Sequence, residues 1–217
     1  MKAQLYLLML ITLFQFKSQA QTEKVNLYAF VGKKISIEEF HPEKKEGQII
    51  MDNAFKLKYE IIEEVFGHQT IDTIEFVAYD HYGKPPFSKY DFVLLYLSQS
   101  KDGSWYHQKY MYDNVYLTKD KKWAGPINNY DYNHPDNTNE KPLLVELKFD
   151  KEVSFTLPTK EANEDMTENE LNKLINDYFP KERYELKDGK AYLRKGYYLK
   201  ELFELKKYGV LHARGIF

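Results

Sequence analysis

The chain contains no cysteine. A disulfide framework and a thiolate metal site are therefore excluded, and stability has to come from a core large enough to hold the fold unaided. The local signatures of common chemistries are missing as well. There is no G-x-S-x-G turn for a serine nucleophile, no H-E-x-x-H, no phosphate-binding G-x-x-x-x-G-K-[ST] and no G-x-G-x-x-G. An excess of positive charge is also absent: 31 lysines and arginines face 33 aspartates and glutamates. Nucleic acid and anionic lipid select basic surfaces, so neither is expected as a partner.

What is present begins at the N-terminus. Met1-Lys2 gives a short positive start, Leu5 to Phe16 is an almost unbroken apolar run, and Ser18-Gln19-Ala20 ends in small residues. This is the layout of a secretory signal peptide spanning residues 1–20, with cleavage after Ala20. The apolar run is shorter than the roughly 20 residues that a bilayer span needs, so a retained membrane anchor is disfavoured and no stable span is expected after cleavage. With no cysteine after the small residues, a lipid-modified N-terminus is chemically excluded. Cleavage removes Lys2 and Lys17 and no acids, leaving 29 bases against 33 acids and a formal charge of −4. The expected location is secreted or periplasmic.

Strand signals dominate up to Leu157. Phe55, Leu57, Tyr59 and Ile61 alternate with Lys56, Lys58 and Glu60, the period of a half-buried strand. At Ile61-Ile62 the apolar register slips by one, which a bulge or a strand buried on both faces would explain. Val25 to Phe40 reads as an earlier strand broken at Gly32, and Ile71 to Tyr79 as a later one. Phe92 to Leu97 is nearly pure apolar and reads as a central strand. Lys101-Asp102-Gly103-Ser104 is a hairpin turn leading into a strand over Trp105–Leu117. Thr118 to Pro142 reads as a long loop without structure of its own. Leu143–Phe149 and Val153–Leu157 are expected to be the last strands of the same body.

Past Pro158 the pattern becomes helical. Thr167-Glu168-Asn169-Glu170 is a capping box, followed by Leu171, Leu174, Ile175 and Tyr178 at helical spacing and a stop at Pro180. A small hairpin about Asp188-Gly189 comes next. Tyr198, Leu202 and Leu205 then mark a second helix, with Lys206 and Lys207 in its last turn and Gly209 placed to close it. Each helix carries one narrow apolar stripe, so both are expected to pack on the β-body. The fold expected is mainly β (α+β): an OB-like antiparallel β-barrel over residues 21–157 and a helical and hairpin appendage over 158–217, with two C-terminal helices packed on the barrel.

Three segments carry a resemblance to a known family: Phe30-Val31-Gly32-Lys33, Tyr59-Glu60-Ile61-Ile62-Glu63-Glu64-Val65-Phe66-Gly67 and Thr73-Ile74-Glu75-Phe76-Val77. Together they resemble the opening strands of the netrin-like, TIMP-type branch of the OB-fold, over about residues 30–80. The resemblance implies a small coiled antiparallel barrel. Inhibitors of that family chelate a protease zinc through an N-terminal cysteine. No cysteine exists here, so that activity is not carried over.

Two functional readings follow from the loops. Trp123, Tyr130 and Tyr132 lie in the long loop, and Tyr82 in the loop after the third strand. Aromatic side chains on loops stack on sugars or anchor peptides, so these four are the candidate ligand contacts, with Trp123 expected to be exposed. On this reading the protein is a secreted or periplasmic binding module without catalytic activity or cofactor, whose partner is a protein, peptide or glycan of the cell envelope. The alternative is a metal-dependent hydrolase holding a divalent ion through His81, His107, His134 and Asp131, since imidazole and carboxylate ligands suit zinc or a related ion. Asp131 to Asn137 also has the look of a calcium loop, but lacks the glycine and the closing glutamate of one.

Overall fold

The computed structural model describes residues 25–43 and 51–217; the expected signal segment, residues 1–20, lies outside them. Five strands form a closed barrel: β1 (Asn26–Phe40), β2 (Asn53–Phe66), β3 (Thr73–Asp80), β4 (Phe92–Gln99) and β5 (Trp105–Asn114), in the order β1-β2-β3-β5-β4 with β4 returning to β1. This is the OB-like barrel expected. Its pairings are antiparallel except between β3 and β5, which meet in parallel at Val77 and Tyr106.

The curl of the barrel is written into β1 and β2. Val31 pairs with Glu63 and Gly32 with Ile61, which leaves Ile62 as the extra residue of a bulge. The slip in apolar register is therefore a bulge, the device that lets a strand bend around a small barrel. Gly32 sits at the tightest point: a Cβ there would lie 2.8 Å from the Phe30 ring and 2.9 Å from the Tyr59 ring. Tyr28, Phe30, Phe55, Leu57, Tyr59, Phe76, Leu95 and Leu97 fill the interior. Between β3 and β4 a 3-10 turn, Pro86–Lys89, drives Phe87 into the end of the barrel. Burying such a ring contributes about 1.5–3 kcal/mol.

Strand β4 is apolar from Phe92 to Leu97 because it is covered on both sides. Val93, Leu95 and Leu97 point into the barrel, while Leu94 and Tyr96 join a second core with Leu27, Ala29, Val31 and Met111. That second core is capped by the C-terminal helix α3 (Leu199–Lys206), through Leu199, Leu202, Phe203 and Leu205.

Several sequence expectations change here. The barrel is complete at Asn114. The strands expected to finish it, β8 (Val145–Glu146) and β9 (Ser154–Thr156), pair elsewhere. With β6 (Tyr116–Leu117), β7 (Trp123–Gly125) and β12 (Lys195–Tyr198), β8 makes a sheet in the order β6-β7-β12-β8. With β10 (Tyr184–Lys187) and β11 (Lys190–Leu193), β9 makes a sheet in the order β10-β11-β9. Both sheets join residues from either side of Pro158, a long-range pairing that local pattern does not encode. Nor is residues 118–142 without structure, since it holds β7 and a single helical turn, α1 (Asn129–Tyr132).

The hairpin β10–β11 and both helices form where expected. Helix α2 (Glu168–Tyr178) has the full capping box between Thr167 and Glu170, but none of its residues is buried. Helix α3 does not stop at Gly209; it runs into a π-helical turn, Lys207–Leu211, that kinks at that glycine. The small sheet abuts the barrel at Gly125, where a Cβ would lie 2.3 Å from the Asn114 carbonyl oxygen of β5. Within the sheet a Cβ on Gly196 would lie 2.4 Å from the Gly125 carbonyl oxygen.

Candidate functional site

A cleft of about 740 Å³ opens where the barrel meets the small sheets. One wall is Tyr90 to Phe92, where the chain enters β4, together with the bulged Ile62 of β2. The opposite wall is the segment from Asp150 to Ser154, which leads into β9. Val115, Tyr116 and Leu117 line it between them, with the edge of Trp123. The bulge explains Ile62: the extra residue turns a large apolar side chain outward, where it is 38% exposed.

Four aromatic residues, Tyr90, Phe92, Tyr116 and Trp123, share the apolar lining with four aliphatic ones. Phe92 and Trp123 pack with centroids 4.7 Å apart, and Tyr116 meets Phe149 edge-on at 5.9 Å. The Asn114 amide donates to the Tyr116 hydroxyl oxygen at 2.9 Å, fixing that ring, and burial pushes the Tyr116 phenol up to about 12. Charged residues line it too. Lys89 lies over the Tyr90 ring at 5.1 Å, and Asp150 is tied to Lys121 at 2.5 Å. A second groove of about 630 Å³, around Glu146 and Lys195, carries more charged residues in its lining, among which Arg194 pairs with Glu185 at 2.7 Å.

Of the four aromatic residues expected to contact a ligand, only Trp123 reaches this cleft, and it is not the exposed residue anticipated. It belongs to the second core and is 9% exposed, because its neighbours place it in β7 rather than in a free loop. Tyr82 is 87% exposed, edge-on to His81 on the loop after β3. Tyr130 is exposed on α1, edge-on to His134. Tyr132, on the same turn, stacks on Tyr197, with Arg183 and Lys141 over its ring.

The alternative metal set is not brought together. His81 faces Asp52 at 3.6 Å. His107 lies against Phe87, with Nε2 at 2.9 Å from the Met111 carbonyl oxygen, and burial lowers its pKa to about 4. His134 is buried against Gly209, its Nδ1 accepting from the Asp136 backbone N–H. Asp131 is engaged by a lysine. Among the described residues no group of three His, Asp or Glu side chains is arranged to hold a metal ion.

That lysine is Lys206. It lies in the last turn of α3, as the sequence suggests, but it has no exposed surface. Its Nζ meets Asp113 Oδ1 of β5 at 3.2 Å and Asp131 Oδ2 of α1. The Tyr96 hydroxyl of β4 donates to Asp113 Oδ2 at 3.0 Å. Burial raises the Asp113 carboxyl to about 6 against the pull of Lys206, and the two aspartates hold Lys206 in its charged form. A signal for this was available. Lys206 stands four residues after Leu202 and three after Phe203, on the apolar stripe and not opposite it.

Comparison of the chain with protein-family models, with curated proteins and with solved structures gives no match in any of the three.

Proposed function

We propose that the protein is a secreted or periplasmic binding module that seats an extended peptide of the cell envelope in the aromatic cleft. The carrying observation is the cleft itself: about 740 Å³, walled by Tyr90, Phe92, Tyr116 and Ile62, with charged residues such as Lys89 and Asp150 beside them. Concave aromatic surfaces with a few polar groups are where ligands bind in general. An extended peptide is favoured over a glycan because β9, at whose mouth the cleft lies, is the outermost strand of its sheet. An outer strand presents backbone donors and acceptors to which a peptide can add, while neighbouring pockets take alternate side chains. Export is supported by the signal-like residues 1–20.

The chain has two tryptophans, so Trp105→Phe leaves Trp123 as a reporter at the cleft. Screened against arrays of short peptides and of glycans, the protein should retain peptides. Titrating a retained peptide should change Trp123 emission, and Ile62→Glu or Tyr90→Ala should weaken binding by about tenfold or more, worth about 1.4 kcal/mol. Undiminished retention by both variants would overturn the assignment of the cleft.

A further inference from the structure

Among the described residues Lys206 is the one buried lysine, and it is enclosed by groups from four elements. From β5 comes Asp113, from α1 Asp131, from β4 Tyr96, and from α3 its own neighbours Leu202, Phe203 and Leu205, all buried. The Phe203 ring lies parallel to that of Tyr96 at 6.3 Å. Arg214, from the C-terminal segment, acts on Asp131 only at longer range. The Asn128 amide donates to Asp131 Oδ2 at 2.6 Å. An amine and two carboxyl groups are thus in contact in a site that bulk water does not reach. One ammonium faces two carboxylates, so the cluster is one positive charge short of neutral.

We propose that Lys206 and Asp131 become joined by a spontaneous amide bond between Nζ and Cγ, with Asp113 as the proton relay. A proton of the Lys206 ammonium passes by way of Asp113 to the Asp131 carboxylate. The freed amine attacks Asp131 Cγ, and negative charge gathers on the oxygen that the Asn128 amide already contacts. A second proton from the nitrogen, again carried by Asp113, leaves with the Asp131 hydroxyl as water. A C–N bond forms, a C–O bond breaks and one water is released. Asp113 ends as the carboxylate it was at the start, and no oxidant or other reactant is needed.

Three features favour this outcome over a permanent ion pair. Holding amine and carboxyl in fixed contact makes the reaction intramolecular, the condition under which effective concentrations become very large. The product exchanges a buried ammonium and a buried carboxylate for a neutral amide, and the desolvation cost of both charges disappears. Asp113 titrates near the middle of the physiological range, where a relay both accepts and returns a proton. The bond would connect residues 75 apart in sequence, bracing a chain that has no cysteine for a disulfide.

The test is peptide mapping by mass spectrometry on the full chain, purified folded and then denatured and digested with trypsin. The expected result is a branched peptide in which Lys206 carries Asp131, lighter by one water than its two parts, with no cleavage after Lys206. Asp113→Asn should leave a folded protein, judged by its melting transition, in which the branched peptide is absent or forms at least about tenfold more slowly. Wild-type protein cleaved after Lys206 like any other lysine would overturn the proposal. A branch at Asp113 in place of Asp131, or undiminished linkage in Asp113→Asn, would overturn the roles assigned to the two aspartates.

Discussion

Replacing Lys206 by methionine should be among the most damaging single changes this chain can suffer. Methionine keeps most of the buried stem and its packing on Tyr96 and Phe203, so the change isolates the loss of the ammonium. What remains is Asp113 and Asp131, with side chains 2% and 6% exposed, facing the vacated site without a counter-charge. Breaking a buried pair in this way costs about 3–5 kcal/mol, a large share of the roughly 5–15 kcal/mol by which a domain is stable. The covalent joint would add about 4.5 kcal/mol for a closed loop of 75 residues, taking disulfide loop closure as the guide. A loss well above 5 kcal/mol would thus report both contributions. The assay is urea unfolding followed by tryptophan emission and far-ultraviolet circular dichroism, at pH 5 and at pH 8. The variant should recover part of its stability at pH 5, because burial raises the Asp113 carboxyl and Lys206 no longer lowers it, so that it takes up a proton and one of the stranded charges vanishes. A loss under about 1 kcal/mol at pH 8 is the scale of an exposed ion pair and would refute the reading of this cluster as buried and strongly coupled.

Other expectations follow from the same geometry. The Asp113 carboxyl titrates near 6 in the folded protein and near the ordinary 3.8 when unfolded. The folded state therefore holds that proton more tightly, and the resulting stability is complete below about pH 4 and lost as pH rises through 6. The difference in unfolding free energy between wild type and Asp113→Asn should change by about 2–3 kcal/mol across that window, and a flat difference would count against it. Phe87→Ala empties the end of the barrel, where the ring is 1% exposed, and should cost about 3–5 kcal/mol in urea unfolding. Gly196→Ala sets a methyl group 2.4 Å from a carbonyl oxygen of β7, a backbone that cannot turn aside. Its soluble yield and melting temperature should fall sharply, whereas Gly103→Ala, with nothing within 4 Å, should lose only what its positive φ demands.

Much of the barrel was legible in the sequence because its determinants are local. The alternation from Phe55 to Ile61, the slip at Ile62, the Gly32 break and the Asp102-Gly103 turn each act over a few residues, and β1, β2 and the hairpin into β5 follow them closely. The Thr167–Glu170 capping box is equally local, and it starts α2 where read. The candidate site was far less legible. Trp123 looked like a loop residue because β7 is three residues long and is held between the two-residue β6 and β12, the latter some seventy positions later. Asp131 was read as a candidate metal ligand because its actual partner is 75 residues away.

The sequence by itself therefore determined the barrel strands, the two longer helices and how the barrel curls, since period, caps and bulges are properties of neighbouring residues. Tertiary structure alone decided where β8 and β9 pair, which rings line the cleft, and that a lysine and two aspartates meet out of reach of water. Pairing and burial depend on segments that come together only when the whole chain is packed, and no local pattern carries that distance.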